Sequence, residues 1–440
     1  MRCEKKISKN LLVITEVCYN LTMDILNYQG NKTKLLSFID ENISPLLSKD
    51  KALLDIFSGG ASVSAFFSKR HIVMSNDLEP YAYHIANSII CSNRFKDFDK
   101  AFFTKFERDF STNYYFIKEK IGNLIDEEEK SLARDERLCS FYESVPTLWN
   151  NMFSPILNQK ITNETVLKRG FRYCLFTLLY SSNYFGVKQA AQIDSIICAI
   201  ESSNDDYNKS LLYSSLFYSM NKCVFSKDGH MAQPLNISKN LSRCVRCRSK
   251  SIIDIFYESL RAHQSSKLYS KNNKAFNLEF EELLRKINPS EICCIYADPP
   301  YTDMQYSRYY HLLNIACEYE FAYPTMKGET HSSGLYLNNR RQSGISVRST
   351  FLEKMKKLCV FARTNGINLV ISFGYPGKDS EEKNDRYLCS ITDLKLMAES
   401  VFGVKNVTLI GQNYEHANQR NSKQKKVIEY LVVCRGGNDD

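Results

Sequence analysis

Asp298, Pro299, Pro300 and Tyr301 close the apolar run "EICCIYAD" (291–298), and an aromatic stretch, "TDMQYSRYYHLL" (302–313), follows them. A carboxylate, two residues without a backbone N–H and then a flat ring fit one demanding reaction. The exocyclic amine of a nucleobase is a poor nucleophile because its lone pair is delocalised into the ring. A catalyst must hold both of its N–H groups in a geometry that restores lone-pair character, which requires two acceptors. Asp298 offers a carboxylate and Pro299 a carbonyl, since prolines fix φ and remove donors that would compete. Tyr301 then gives a face on which an extruded base can stack. A packed Pro-Pro turn would explain the prolines, but not the acid on an apolar strand end.

A second group of residues lies earlier in the chain. In "DIFSGGASVS", Asp55 to Ser64, an apolar run ends in an acid and passes through Phe57, Ser58, Gly59 and Gly60 into a helical pattern. Glycines at such a turn let a ligand approach the backbone closely. Asp77, in "MSNDLEP", follows Asp55 by 22 residues, close to the ~20-residue interval at which an acid on the next strand accepts ribose hydroxyls. The pair reads as a nucleoside-type cofactor site. The glycines do not follow dinucleotide spacing and no GKS or GKT follows them, so neither a nicotinamide enzyme nor a P-loop ATPase is favoured.

Strand-like and helix-like patterns must position these acids, and they alternate only towards the two ends of the chain. "KALLDIF" (51–57), "HIVMSND" (71–77), "EICCIYAD" and "INLVISFG" (367–374) read as strands, separated by helical stretches at 78–90, 351–363 and 391–402. "VKNVTLIG" and "KKVIEYLVV" read as two closing strands. The expected fold is α/β, a Rossmann-like sheet with its ligand crevice at the carboxyl ends of the strands. It is assembled from residues 1–92 and 273–440. Residues 93–272 change to charged and aromatic helical stretches and read as an inserted, mainly helical domain.

Length and composition agree with two domains: 440 residues, 43% hydrophobic. No window approaches the ~20 apolar residues of a membrane-spanning helix, and the amino end shows no signal-like apolar core. The expectation is a cytoplasmic protein without a membrane partner. The fifteen cysteines sit in apolar surroundings, as buried reduced thiols do. The net charge is +9, and residues 221–274 hold eleven basic residues against three acidic ones. That block, with Arg243, Arg246 and Arg248, suits a polyanion such as nucleic acid, while a solvated basic face is the alternative.

In their order along the chain these motifs resemble the S-adenosylmethionine-dependent N6-adenine DNA methyltransferases of the Dam-like group, especially the modification enzymes that accompany restriction endonucleases. "NYQGNKTKLL" (27–36) resembles the family's amino-terminal cofactor motif, with Tyr28 at its aromatic position and Lys32 at its lysine. "DIFSGGAS" resembles its glycine motif, "NDLEP" its ribose-binding acid, and "DPPY" its catalytic tetrad in the form used on adenine. "AFNLEFEELL" (275–284) resembles the segment that holds the cofactor's adenine, although Glu279-Phe280 stands where the family usually has Asp-Phe. "SSNYFGVKQAAQID" (181–194) resembles a stretch common in the restriction-associated branch. The resemblance implies a class I methyltransferase fold whose insert recognises double-stranded DNA. It implies S-adenosylmethionine held by Tyr28, Lys32, Asp55, Phe57, Ser58, Gly59, Asp77, Glu279 and Phe280. It also implies direct methyl transfer at Asp298, Pro299, Pro300 and Tyr301 without a metal, and a cognate nuclease as a possible partner.

Weaker signals leave alternatives open. "CVRC" (244–247) has zinc-like spacing without a second ligand pair, which favours reduced, unliganded cysteines. His311 could hold a flipped base or a phosphate, or simply pack. Arg340 and Arg341, in "SGLYLNNRRQSG" (333–344), suit either phosphate contact or a solvated loop. Rival functions are an RNA-adenine, protein-glutamine or N4-cytosine methyltransferase, and a catalytically inactive DNA-binding module.

Overall fold

The computed structural model describes residues 26, 28, 30–94, 98–134, 137–147, 173–203, 206–227, 229–264, 272–303, 305–322, 324–341, 343–377, 386–415 and 426–437. They form two compact units, each with its own core.

The unit formed by residues 30–93, 268–307 and 341–440 is built on one seven-stranded sheet. Its strands are β1 (Ala52–Asp55), β2 (Val73–Asn76), β3 (Lys274–Phe276), β4 (Ile292–Ala297), β5 (Asn368–Pro376), β6 (Val407–Glu415) and β7 (Lys426–Cys434). Their order across the sheet is β3-β2-β1-β4-β5-β7-β6. β1 to β5 are mutually parallel, and β7 enters antiparallel between β5 and β6. All four residues of β1 and of β2 are buried, so both faces of the sheet are covered, as parallel strands require. Helices Ser62–Phe67, Pro80–Ile90 and Arg348–Thr364 pack on the strands. Leu54, Ile295, Ile371, Phe351, Met355 and Leu358 share one core cluster. The strand order turns outward in both directions from β1 and β4, and at such a switch point the carboxyl ends of the strands open a crevice.

The other unit takes the described residues of 1–29, 94–267 and 308–340. Its long helix Lys100–Leu132 kinks at Ile121, where the backbone leaves helical angles. The helix Val187–Glu201 is buried on nearly every side, the arrangement expected of a central helix. A buried carboxylate on the long helix holds its start, and a buried carboxylate of its own, Asp194, holds the start of the helix Leu175–Tyr180. Glu128 accepts from the backbone N–H groups of Val187 (2.8 Å) and Lys188 (2.9 Å) and from Tyr142 Oη. A Cβ on Gly186 would lie 2.4 Å from the same carboxylate. Asp194 in turn accepts from the N–H groups of Phe176 and Thr177 and from Tyr319 Oη. The distinctive stretch 181–194 is therefore at least partly an internal helix-anchoring device.

Two expectations change in this unit, and one open reading closes. Residues 308–340 cluster here and not with the sheet, because their buried polar bonds join its helices and turns: Leu175 N–H donates to Tyr319 Oη (2.8 Å) and Tyr184 Oη to the Gly334 carbonyl (3.0 Å). Arg248 does not face solvent. Only 4% exposed, it donates to the carbonyls of Phe185 (2.6 Å) and Asn183 (2.8 Å), with its guanidinium 4.0 Å from the centre of the Tyr142 ring. On the same helix, Leu241–Arg248, Arg246 is exposed and Arg243 half-buried, and Cys244 and Cys247 are buried. Finally, His311 packs. It is buried with Nε2 3.0 Å from the Met231 carbonyl, and burial pushes its pKa down to about 3. Among the described residues, no helix is long and apolar enough to cross a membrane.

These placements predict opposite sensitivities on one short helix. Arg248→Ala leaves two buried carbonyls unpaired and should cost roughly 1–3 kcal/mol. Arg246→Ala should stay within about 0.5 kcal/mol of the parent. Urea unfolding midpoints of the two variants distinguish them, and equal midpoints would contradict the burial of Arg248.

Candidate active site

The crevice is built at the carboxyl ends of β1, β2 and β4. Asp55 ends β1, Asp77 follows β2 and Asp298 follows β4. Asn76, at the end of β2, ties the segments after β1 and β3 together: its Nδ2 donates to the carbonyls of Ile56 (3.2 Å) and Leu278 (3.0 Å), and its Oδ1 accepts from Leu278 N–H. Asn277 donates to the carbonyls of Asp77 and Leu78, both at 2.9 Å.

The turn after β1 has a left-handed backbone at Gly59 (φ 48°) and also at Ala61 (φ 60°), a conformation that a residue with a Cβ adopts at some cost. Asp77 holds it in place, with one carboxylate oxygen accepting from Gly59 N–H (2.8 Å) and the other from Glu79 N–H (2.9 Å). Each oxygen keeps lone-pair capacity for a further donor. Asp55 is 1% exposed and accepts from Ser64 Oγ at 2.6 Å. Its Oδ1 and the Ser58 hydroxyl are buried without a hydrogen-bond partner. Burial, together with the nearby Asp298 and Asp77 charges, raises the Asp55 pKa to about 7 against the pull of the Ser64 bond. Orphaned buried acceptors around a glycine turn fit a cationic, hydroxyl-bearing ligand.

Glu279 caps the helix Phe280–Lys286 by accepting from Glu281 N–H at 2.7 Å. Phe280 is buried, edge to face with Phe57 at 5.5 Å, and Lys354 lies over its ring. Phe57 is only partly buried, so it is the more accessible ring of the two. Tyr28 belongs to the other unit, where its ring lies parallel to that of Tyr310 with centroids 5.1 Å apart.

Lys32 sits against the tetrad. Its Nζ is 3.1 Å from Asp298 Oδ1 and 3.0 Å from Glu429 Oε1, and it also touches Tyr301 Oη. Burial opposes its charge, but the two carboxylates outweigh that and raise its pKa above the ordinary lysine value. Tyr301 Oη lies 2.6 Å from Asp298 Oδ1 and 2.9 Å from Glu429 Oε1. Burial raises the Asp298 pKa to about 6; Lys32 pulls it down and Glu429 pushes it up. Pairing of Gly374 with Glu429 across β5 and β7 leaves room for Tyr301, whose ring carbons lie 2.8 Å from where a Cβ on Gly374 would be.

Of the sequence candidates, Lys32, Asp55, Phe57, Ser58, Gly59, Asp77, Glu279, Phe280 and Asp298 to Tyr301 share the sheet unit. Arg243, Arg246 and Arg340 lie in the other unit, and Arg341 returns to the sheet unit, donating to the Leu78 carbonyl (3.4 Å). Sequence reasoning missed Glu429, Asn76, Asn277 and Gly374. The single acid inside the apolar run "KKVIEYLVV" was a usable signal for Glu429; the two asparagines carried none.

The profile of the D12 class N6 adenine-specific DNA methyltransferases matches residues 28–328. The chain is 23% identical over 413 residues to modification methylase StsI of Streptococcus sanguinis, covering 93% of this chain and 52% of that protein. It is 24% identical over 355 residues to modification methylase LlaI of Lactococcus lactis subsp. lactis, covering 79% and 46%. The chain thus spans about half the length of these curated relatives.

The Asp55 environment predicts a pH-dependent stability. In the unfolded chain an aspartate titrates near 3.9, whereas here it titrates at about 7. The cost of burying its charge is absent below the unfolded value, grows as pH rises between the two and is complete above the folded one. Asp55→Asn should therefore raise the urea midpoint relative to the parent more at pH 8 than at pH 4. A pH-independent difference would show that Asp55 is not buried in charged form.

Proposed function

Because the chain belongs to the D12 class N6 adenine-specific DNA methyltransferase family, we propose that it transfers a methyl group from S-adenosylmethionine to N6 of an adenine extruded from duplex DNA. We further propose that it serves as the modification enzyme of a restriction-modification system, with a nuclease acting on the same site as its partner. One observation carries the reading. Asp298 stands at the carboxyl end of β4 with 20% of its side chain accessible, next to Pro299, in the sheet crevice that also holds Asp55 and Asp77.

The cofactor, when bound, supplies a sulfonium-activated methyl group. Asp77 has acceptor capacity for two ribose hydroxyls, and Phe57, braced by Phe280, offers a ring edge to an adenine. Asp55 Oδ1 and Ser58 Oγ would accept donors from the cationic part, and a positive charge there would draw Asp55 towards its ionised form. Glu279 supports the site by capping the helix that carries Phe280.

At the reacting nitrogen, Asp298 accepts one amine N–H and the Pro299 carbonyl the other. The lone pair is then directed out of the base plane. As the nitrogen turns positive, the Asp298 charge strengthens its bond. The excess proton then leaves the nitrogen to Asp298 Oδ1, whose pKa of about 6 lets it return the proton to water at neutral pH. Tyr301, its hydroxyl fixed by Asp298 and Glu429 and its ring seated on Gly374, is placed to stack the base; Pro300 holds the turn between them.

The helical unit is proposed to read the DNA. Arg246, Arg243 and Arg340 in that unit, and Arg341 in the sheet unit, suit phosphates, which fix register without reading sequence. Arg248 is excluded from this role by its burial.

Two outcomes follow. Under saturating cofactor and DNA, Asp298→Ala should abolish single-turnover methylation, and Asp298→Asn should keep only a small residue, because a charge-assisted bond is roughly twice as strong as a neutral one. Near-parental rates in Asp298→Ala would remove the proposed mechanism. Neutralising Arg243 and Arg246 together should flatten the plot of log DNA affinity against log salt by up to about two phosphate contacts; an unchanged slope assigns them to a solvated face.

A further inference from the structure

The geometry points to Glu429 as a positioning residue of the transfer reaction, the alternative partner that lets Lys32 and Tyr301 leave Asp298 when the amine arrives. This inference rests on the proposed adenine methylation. Three donors converge on one oxygen of Glu429: Lys32 Nζ at 3.0 Å, Tyr301 Oη at 2.9 Å and Ser372 Oγ at 2.6 Å. The first two of these also reach Asp298 Oδ1. Glu429 keeps 3% of its side chain accessible and Asp298 20%. The buried carboxylate therefore cannot be the one that meets a base, and on the open one Oδ1 already accepts from the protein's own donors.

An amine that bonds Asp298 at Oδ1, the oxygen proposed to take its proton, must displace those donors. A lysine ammonium left without a carboxylate in this crevice would be an unpaired buried charge, which is strongly unfavourable. Glu429 removes that obstacle, because Lys32 and Tyr301 remain bonded to it while Asp298 turns to the substrate. Ser372 and the close fit over Gly374 hold Glu429 at the right depth. The charged or titratable groups facing Asp298 are Lys32 before the first helix, Asp55 at the end of β1, Tyr296 on β4, Tyr301 in the turn and Glu429 on β7.

Two single variants and their combination test this. Asp298 must be ionised to accept the amine, so activity rises with pH through its pKa. Glu429→Gln removes a negative charge that raises this pKa, so the acid limb of kcat should move to lower pH. Lys32→Met removes the positive charge that lowers it, so the limb should move to higher pH. With Glu429→Gln, Lys32 has only Asp298 left and competes with the amine. At pH 8, kcat should fall by up to about a hundredfold, as for a misplaced reactant, while KM for DNA hardly changes. Adding Lys32→Met to Glu429→Gln should recover part of the lost kcat, which loss of a purely structural residue would not allow.

Titration of the Asp298 carboxyl by selective ¹³C NMR, assigned with Asp298→Asn, gives the same opposing displacements without any turnover. An inactive parent with opposing shifts would thus refute the methylation reading and keep the network. An active parent whose limb and Asp298 titration are unmoved in Glu429→Gln, or move in the same direction in both variants, overturns the inference. Should Glu429→Gln fail to fold, Lys32→Met alone decides by the direction of its shift.

Discussion

A lysine ammonium shared between two carboxylates is the constraint around which the crevice is organised. Lys32 is 4% exposed, and burying ions costs several kcal/mol each unless geometry and further hydrogen bonds compensate. Compensation requires Asp298 from the end of β4, Glu429 from β7 and Ser372 from β5 to converge on one point. The antiparallel entry of β7 beside β5 achieves this, since it sets Glu429 opposite Gly374, where no side chain obstructs Tyr301. An all-parallel sheet would run β7 the other way and change that register. The end of β4 that carries Asp298 is therefore positioned by the last strand in the sheet sequence, β7.

The side of the crevice at β1 and β2 follows a different logic. There the strand ends are sewn together by amides, and the polar groups facing the crevice are left incomplete. Asn76 uses both ends of its side chain on backbone groups beyond β1 and β3. Asp77 anchors Gly59 N–H yet retains acceptor capacity. Asp55 Oδ1 and Ser58 Oγ have no partner, and Ala61 takes a backbone conformation that glycine would take at less cost. Violations of local rules gathered in one turn are the mark of a site whose compensation comes from a ligand.

The parts of this arrangement that were legible in the sequence are those with a local signature. Alternating apolar runs located the sheet strands around Asp55, Asp77 and Asp298, and turn chemistry located Gly59. Glu429 was harder to see because its meaning lies in pairing across nearly 400 residues of separation, and Asn76 and Asn277 look like ordinary strand-end amides. The division of the chain at 308 was hidden for the same reason. The apolar pattern after Tyr301 is compatible with either unit, and the choice is made by hydrogen bonds that Tyr319 Oη and the Gly334 carbonyl accept from Leu175 and Tyr184, far away in sequence.

The basic segment shows how a charge count misleads when burial is unknown. Arg246 and Arg248 are two residues apart on one helix, yet one faces water and the other is enclosed by Tyr142 and two backbone carbonyls. Two buried carboxylates, Glu128 and Asp194, do comparable work by accepting from helix N–H groups. Internal polar bonds of this kind fix a helical scaffold independently of ionic strength, because they are shielded from the counterions that weaken exposed charge pairs. The arginine most deeply built into the scaffold is then the one least available to a ligand, and an accessible cation has to be sought among those, like Arg246, that the core does not use.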